Sequence, residues 1–306
     1  MMREYQFLVG EENDNERIDK CITSLTDMTL TRSYLQKMIR EGRVFLNSEP
    51  VKVSEKVHTD DQIILSLPPS VIPDILPEQI PIDVLYEDED LIVVNKPKGM
   101  VVHPAPGHYE HTLVNALLYY CKDSLSGING VLRPGIVHRI DMDTTGSVIA
   151  CKNDYAHLCI AEQLKEHSIV RKYRAICYGE IKEDEGTIDA PISRMSQDRK
   201  KMGVNQEKGK RAVTHFRVLE RLRGYTYIEC RLETGRTHQI RVHMAYIGHP
   251  LLGDTVYCNR KCPYQLTGQT LHAYILGFIQ PHTKQYIETI APIPSYFEDL
   301  LKKLKD

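Results

Sequence analysis

The first 67 residues alternate apolar and polar positions with the spacing of short helices followed by short strands. Ile18, Ile22 and Leu25 recur at intervals of four and three residues, which places them on one face of a helix. A second helix is predicted over 31–41, where Thr31 or Ser33 can cap the first turn. Its inward positions are apolar: Tyr34, Leu35, Met38 and Ile39. Two short apolar runs then predict strands: 44–47 and 62–65.

From residue 83 onward the apolar runs are longer, and several alternate with polar residues as in a half-buried sheet. The predicted strands follow one another along the chain: 84–88, 91–96, 171–178, 212–220 and 225–233. Two helices are predicted between them: 111–121 and 155–166. Because short turns join consecutive strands, we expect a mixed, mainly antiparallel sheet. The predicted fold class is α+β, with a small α/β head in front of this larger domain.

Five prolines between residues 68 and 81 interrupt the pattern. Proline removes a backbone donor and restrains its neighbours toward extended conformations, so this stretch predicts a semi-rigid linker. The expected organisation is a head at 1–67, a linker at 68–82 and a main domain at 83–306. A chain of 306 residues can bury a full core in the larger part.

Composition is that of an ordinary globular protein, with 42% hydrophobic and 26% charged residues. The net charge of −2 does not by itself indicate a nucleic-acid partner, although a local basic patch matters more than the sum. Eight cysteines are scattered without a Cys-x-x-Cys pair, so no metal site is expected. The chain start does not have the pattern of a secretory signal, and no apolar run is long enough for a membrane span. We expect a cytoplasmic monomer without a membrane partner.

Residues 138–146, His-Arg-Ile-Asp-Met-Asp-Thr-Thr-Gly, place one cation and two carboxylates between apolar runs. Charges next to buried strands either line a cleft or destabilise the fold, since an unpaired buried charge is expensive. The same residues also suit a turn, because Asp and Thr hydrogen-bond to nearby backbone and glycine accepts a positive φ. This stretch alone leaves both readings open.

Four blocks in order along the chain decide between them: 90–104, 138–146, 171–175 and 233–244. The second resembles the His-Arg-Leu-Asp-x-x-Thr-Ser-Gly signature of the RluA/RluD-type pseudouridine synthases, which isomerise uridine in structured RNA. The third is similar to the Lys-x-Tyr strand of that family. The fourth is similar to its Thr-Gly-Arg-x-His-Gln-Ile-Arg motif. Ile140 for Leu and Thr145 for Ser are conservative departures.

The resemblance implies a role for each matching side chain. Asp141 is the expected catalytic residue, and Arg241 is expected to pair with it and orient it. Tyr173 is expected to stack on the target base, although a tyrosine between charged neighbours can also be a packing residue. Arg139 is expected to fill the gap that a flipped uridine leaves in the RNA helix. Arg236 is expected to contact the RNA backbone, and no cofactor is implied.

Two expectations concern the local structure around these motifs. Thr234 or Thr237 can cap a helix that runs to residue 246, on which Arg236 and Arg241 would lie about 140° apart. In the first block, Lys96 or Lys98 is a candidate for meeting phosphate.

The head resembles the S-four RNA-binding module, in which a basic helix grips phosphates. Its RNA-binding candidates share one basic face: Arg32, Lys37, Arg40 and Arg43. A basic helix face is often only solvated, but fusion to an RNA-acting signature favours the functional interpretation. Residues 194–211 add seven basic against two acidic side chains, which predicts a loop that clamps RNA.

The predicted function is isomerisation of uridine to pseudouridine in RNA, with large-subunit ribosomal RNA as the expected partner from the resemblance. Two alternatives stay open at this point. One is a non-catalytic RNA-binding or ribosome-assembly protein. The other is a base-cleaving hydrolase that uses Asp141 and Asp143, because residues i and i+2 on a strand lie about 7 Å apart on one face.

Overall fold

The computed structural model describes these residues: 3–26, 32–67, 75–105, 107–122, 124–128, 133–196, 198 and 201–305. The chain divides into two compact units, Met1–Ile72 and Pro73–Asp306. Each unit has its own apolar core. Among the helices that the structure describes, none combines enough length and apolar character to cross a bilayer.

Unit 1 packs two helices on a small antiparallel sheet whose strand order is β1-β4-β2-β3. Its described elements are, in chain order: β1 (Arg3–Leu8), a single 3-10 turn (Glu11–Asn13), α1 (Ile18–Leu25), α2 (Arg32–Arg40), β2 (Val44–Leu46), β3 (Glu49–Pro50) and β4 (Gln62–Leu67). Ile18 and Ile22 are fully buried, as their helical spacing predicts. Leu35, Met38 and Ile39 of α2 are buried in the same core. The predicted cap Thr31 lies outside the described residues.

Unit 2 consists of a mixed sheet with helices packed beside it, which confirms the predicted α+β fold class. Its described elements are: β5 (Asp83–Glu87), β6 (Leu91–Lys96), α3 (Leu113–Cys121), β7 (Thr145–Cys151), α4 (Asp154–Lys165), β8 (Val170–Tyr178), β9 (Glu185–Asp189), β10 (Ile192–Arg194), β11 (Met202–Val204), β12 (Val213–Leu222), β13 (Tyr225–Leu232), α5 (Gln239–Tyr246), β14 (Leu271–Ile279), β15 (Tyr286–Ile290) and α6 (Ser295–Lys305).

The main sheet has nine strands among the described residues, in the order β5-β6-β7-β14-β8-β13-β12-β9, with β15 paired to β14. All of its named pairings are antiparallel except that of β7 with β14. Every residue of β7 is buried, because this central strand is covered on both faces. The loops at the ends of four strands lie close together, because these strands are neighbours in the sheet: β7, β14, β8 and β13.

Two stretches differ from the local predictions. Residues 75–82 of the proline-rich stretch belong to unit 2, where Ile75 and Ile82 pack on the core and the Asn115 amide donates to the Leu76 carbonyl. The predicted clamp loop begins as the hairpin of β10 and β11. Met202 and Val204 pack beside buried apolar residues there, which a polar-rich sequence does not indicate.

Candidate active site

A cleft of about 880 Å³ opens in unit 2, and the second, third and fourth sequence blocks all contribute to it. The predicted residues of unit 2 all line this cleft: Arg139, Asp141, Tyr173, Arg236 and Arg241. They are separated by up to about a hundred positions in sequence, so only the strand order β7-β14-β8-β13 brings them together. The structure thus places the whole predicted set around one cavity.

Asp141 lies in a turn before β7 and remains partly exposed to the cleft. Its backbone carbonyl accepts a hydrogen bond from the Thr144 amide at 3.1 Å, which closes the turn. Arg241 Nη1 donates to Asp141 Oδ2 at 3.0 Å. His238 Nε2 lies 3.8 Å from the other carboxylate oxygen. The carboxylate is therefore held from one side and open to a ligand on the other.

Arg241 is held by a second carboxylate that the sequence analysis did not single out. Its Nε and Nη2 donate to the two oxygens of Asp254 at 2.7 and 2.9 Å, a fork geometry that fixes the guanidinium plane. Asp254 also accepts from the backbone amides of Val256 and Tyr257. Burial opposes the charge of Arg241, but the two carboxylates outweigh it and raise the pKa of this guanidinium above its ordinary value. Arg241 is thus a cation in a fixed position whose hydrogen bond orients the Asp141 carboxylate.

His238 connects Asp141 to the β10–β11 hairpin. Its Nδ1 is 2.8 Å from the Tyr257 hydroxyl, and that hydroxyl accepts from the Met202 amide at 3.0 Å. The Tyr257 ring lies 5.1 Å from the Arg241 guanidinium carbon. Burial is the largest influence on His238 and lowers its pKa, so the imidazole is neutral near pH 7. A neutral ring suits hydrogen bonding beside a carboxylate without neutralising it.

Tyr173 lies in β8 between Ala273 of β14 and Cys230 of β13, and only 8% of it is exposed. Burial raises the pKa of its hydroxyl, so the phenol stays neutral. A fixed, neutral ring at the wall of a cleft is suited to stacking on a planar base. Leu271, at the start of β14, contributes an apolar side chain to the same wall.

Arg139 and Arg236 occupy the rim. Arg139 is exposed, while Arg236 donates from Nε to the Arg211 carbonyl at 2.9 Å. The expectation that Arg236 belongs to the helix is wrong, because α5 begins at Gln239 and His238 precedes it in a left-handed conformation. Thr234 does not cap that helix; its hydroxyl donates to the Gln239 side chain at 2.7 Å, and this side chain accepts from the Arg236 amide.

The turn that carries Asp141 is anchored from beneath by Lys96. Its ammonium donates to the carbonyls of Met142, Pro97 and Met100 at 2.7 to 2.9 Å, and only 1% of the residue is exposed. Burial lowers the pKa of Lys96 to about 7. Of the two candidates for meeting phosphate, Lys96 and Lys98, the structure excludes Lys96, because this residue is buried and its ammonium is bonded to three backbone carbonyls.

Asp143 does not share the cleft with Asp141. Its carboxylate lies against Gly268, where an added Cβ would come within 2.3 Å of Oδ2. Asp141 and Asp143 belong to a turn rather than to a strand, so the i, i+2 geometry assumed for a two-carboxylate hydrolase does not occur. Among the described lining residues, Asp141 is the one carboxylate in the cleft.

Two histidines at the cleft predict a measurable acid sensitivity. Burial, with nearby arginines, lowers the pKa of His103 to about 4 and that of His138 to about 3. In the unfolded chain both histidines protonate near pH 6.5, so between pH 6.5 and 4 the unfolded state binds more protons than the folded state. The free energy of unfolding therefore decreases as the pH is lowered through this range.

We expect His138→Gln to reduce this loss by at most about 1.4 kcal/mol per pH unit. The glutamine side chain can still accept from the Ile149 amide, as His138 Nε2 does at 3.1 Å. Urea unfolding of both proteins at pH 7 and pH 5 measures the difference. Equal pH slopes for the variant and the parent would contradict a neutral His138.

The predicted RNA-binding residues of unit 1 fall into two groups. Arg32 forms an ion pair with the buried Asp19 at 2.9 Å, so part of its guanidinium is engaged within the unit. Lys37 and Arg40 are exposed on α2, and Lys37 and Arg43 lie 3.6 and 3.3 Å from Glu41. The exposed face of α2 thus keeps cations available to a ligand.

Sequence reasoning missed Asp254, Tyr257 and the anchoring role of Lys96. Asp254 ends the Gly-His-Pro-Leu-Leu-Gly-Asp stretch that follows the fourth block, but the sequence does not show that its partner is Arg241. A buried lysine has no local sequence signal. Within the described part of the chain, no group of three or more His, Cys, Asp or Glu side chains is arranged to hold a metal ion.

The fold and this cleft define an enzyme with one oriented carboxylate, an adjacent aromatic wall and a basic rim. Comparison with known proteins identifies the family. The family model described as RNA pseudouridylate synthase matches residues 90–246, and the S4 domain model matches residues 17–63. The chain belongs to the RNA pseudouridine synthase family, and it is an enzyme that isomerises uridine in RNA.

Curated relatives match nearly the whole chain. The uncharacterised RNA pseudouridine synthase YlyB of Bacillus subtilis is 49% identical over 99% of this chain and 99% of its own. Ribosomal large subunit pseudouridine synthase D of Zymomonas mobilis is 46% identical over 98% of this chain and 97% of its own. Among solved structures, human RNA pseudouridylate synthase domain containing 1 covers 74% of this chain and 96% of its own, with 24% identity and a TM-score of 0.59, which supports the fold.

Proposed function

We propose that this enzyme forms pseudouridine in large-subunit ribosomal RNA and that Asp141 carries the chemistry. The substrate class rests on relatives named ribosomal large subunit pseudouridine synthase D, at 46% and 42% identity over most of the chain. The role of Asp141 rests on one observation above the others. Among the described residues that line the cleft there is one carboxylate, and an arginine that is itself held by Asp254 orients it.

The electrostatics of the cleft suit an RNA strand despite the net charge of −2. Six arginine and lysine side chains line the described wall against one carboxylate: Arg133, Arg139, Lys165, Arg171, Arg236 and Arg241. Such a concentration of positive charge attracts a polyanion and releases its counterions on binding. The acidic residues that balance the total charge lie elsewhere on the molecule.

In the proposed mechanism the target uridine leaves the RNA stack and enters the cleft, because its reacting atoms are inaccessible within a helix. Arg139, exposed at the rim, occupies the space that the base vacates. Tyr173 stacks on the base and leaves it free to turn in its plane. The Asp141 carboxylate then acts as nucleophile, base or counter-charge while the bond from the sugar to nitrogen breaks and the bond to carbon five forms. Carbon five loses its proton and the released ring nitrogen gains one, so the product has the same composition as uridine.

We further propose that residues 1–67 form an RNA-binding head that supplies affinity through the exposed face of α2. The proposed boundaries are a head at 1–67, a linker at 68–82 and a catalytic domain at 83–306. The match to the S4 domain model over 17–63 supports this role. We also propose that the protein works as a monomer in the cytoplasm, where ribosomal RNA is modified.

The decisive experiment is to delete the gene and map pseudouridine across total RNA with a carbodiimide-based readout. Loss of a discrete set of sites in large-subunit ribosomal RNA, restored by the wild-type gene, would confirm the proposed substrate. Loss confined to another RNA would contradict the substrate class and leave the chemistry intact. No loss anywhere would favour an assembly role.

The head can be tested through the salt dependence of binding. We expect the double variant Lys37→Ala, Arg40→Ala to bind ribosomal RNA more weakly and to lower the slope of log K against log salt by about 1.5 to 2, since two phosphate contacts are lost. The matched control is Lys52→Ala, Lys56→Ala, which removes two exposed cations elsewhere in unit 1. Identical slopes for the two double variants would count against α2 as the RNA-binding face.

A further inference from the structure

Arg171 is a buried cation whose hydrogen-bonding capacity is mostly unused. It is 7% exposed, and its Nη2 donates to the Glu233 carbonyl at 3.1 Å. Its Nε is buried and has no hydrogen-bond partner among the described residues. No described carboxylate forms an ion pair with it, in contrast to Arg241, which has two.

A buried guanidinium without a carboxylate is unfavourable for the folded protein alone. Burial lowers the pKa of Arg171, but arginine remains charged in proteins, so the positive charge persists. An unpaired buried charge is retained in a stable fold when a ligand completes its partners. The complementary ligand is an anion with oxygen acceptors.

The position of Arg171 indicates which anion. Arg171 and Tyr173 are both buried residues of β8, two positions apart, so their side chains share a face about 7 Å apart along the strand. Both line the cleft. A nucleotide whose base stacks on Tyr173 therefore has its own or the adjacent phosphodiester within reach of Arg171.

The backbone next to Arg171 is shaped for the guanidinium. A Cβ added at Gly235 would lie 2.6 Å from Arg171 Nη1, so the glycine of the Thr-Gly-Arg stretch provides the space. A second buried polar atom of the same cleft, His103 Nδ1, also has no described partner. Two unsatisfied buried groups in one cavity indicate that a polar ligand completes it.

We propose that Arg171 is a phosphate-binding residue that holds a phosphodiester of the RNA strand next to the uridine being isomerised. This inference deepens the proposed function and rests on it for the identity of the strand. Arg171 positions the nucleotide and takes no part in bond breaking. Gly235 serves this site by leaving room for the guanidinium.

The first test measures binding alone, with in vitro transcribed large-subunit ribosomal RNA as the probe and full-length protein. We expect Arg171→Met to raise Kd about 5- to 10-fold at physiological salt and to lower the slope of log K against log salt by about 0.7 to 0.9. Gly235→Ala keeps the charge but displaces it, and should weaken binding in the same direction. The control Arg217→Met removes an exposed arginine outside the cleft and should change neither value.

The second test locates the phosphate. Short synthetic RNAs that contain the target uridine carry one uncharged methylphosphonate linkage each, at successive positions around that uridine. We expect the methylphosphonate at one position to weaken binding by the wild type and to have no effect on binding by Arg171→Met. Two changes that remove the same contact are not additive, so this result would indicate a direct contact between Arg171 and that phosphate. A slope that is unchanged in Arg171→Met, or linkage effects that are equal in both proteins, would overturn the proposal.

These tests separate the inference from the proposed function. The binding measurement requires RNA affinity and no turnover, so it remains informative if the mapped substrate proves to be a different RNA. A purely structural Arg171 would alter the free energy of unfolding and leave the salt slope unchanged. Urea unfolding of Arg171→Met, recorded in parallel, shows whether a change in binding reflects a loss of fold.

Discussion

Asp141→Asn is expected to lower the rate of pseudouridine formation by more than about 10³-fold while RNA affinity stays close to that of the parent. The amide has nearly the same shape, and its oxygen can still accept from Arg241. What it lacks is the negative charge that the proposed mechanism requires as nucleophile, base or counter-charge. Affinity is spared because most of the binding energy comes from contacts to the RNA backbone.

The measurement is single-turnover conversion of substrate RNA, followed by carbodiimide mapping and by mass analysis of released bases. The matched control is Asp143→Asn, which changes a carboxylate two residues away that does not line the cleft. We expect this control to retain most of the parental rate. Conversion by Asp141→Asn at the parental rate would remove Asp141 from the chemistry, and release of free uracil by the wild type would indicate a hydrolase.

Arg241→Met is expected to lower the free energy of unfolding by about 3–5 kcal/mol and to abolish turnover. Arg241 and Asp254 are 5% and 2% exposed, and the two hydrogen bonds between their side chains are 2.7 and 2.9 Å long. Removing the cation leaves the Asp254 carboxylate buried beside Asp141 without a counter-charge. Such an uncompensated charge is much more costly than the loss of one hydrogen bond.

A second substitution separates the effect on stability from the effect on activity. In Arg241→Met combined with Asp254→Leu, the buried pair is replaced by apolar residues, and we expect much of the lost stability to return. Turnover should stay abolished, because Asp141 has lost the guanidinium that orients it. Urea unfolding and the conversion assay are run on the same preparations. Recovery of turnover in the double variant would show that Arg241 acts on the fold rather than on Asp141.

The local sequence pattern is enough to predict most elements that form the sheet and the helices beside it. Apolar alternation at 225–233 corresponds to β13, and the helix predicted at 111–121 begins at Leu113, after the Thr112 cap. Element boundaries are less predictable where hydrogen bonds of a side chain, rather than apolar spacing, decide them. The start of α5 shows this, since Gln239 binds the preceding turn and His238 adopts a left-handed conformation.

The sequence by itself determined the family motifs and the candidate residues of the cleft, because residue type and spacing are properties of the chain. Only the tertiary structure decided how those residues are supported. Asp254 pairs with Arg241, and the ammonium of Lys96 holds the Met142 carbonyl, 46 residues away. Partners so distant meet only when the strands have assembled in order. The role of a buried charge can be argued only when its partners are known in space, as at Arg171, whose Nε has no partner among the described residues.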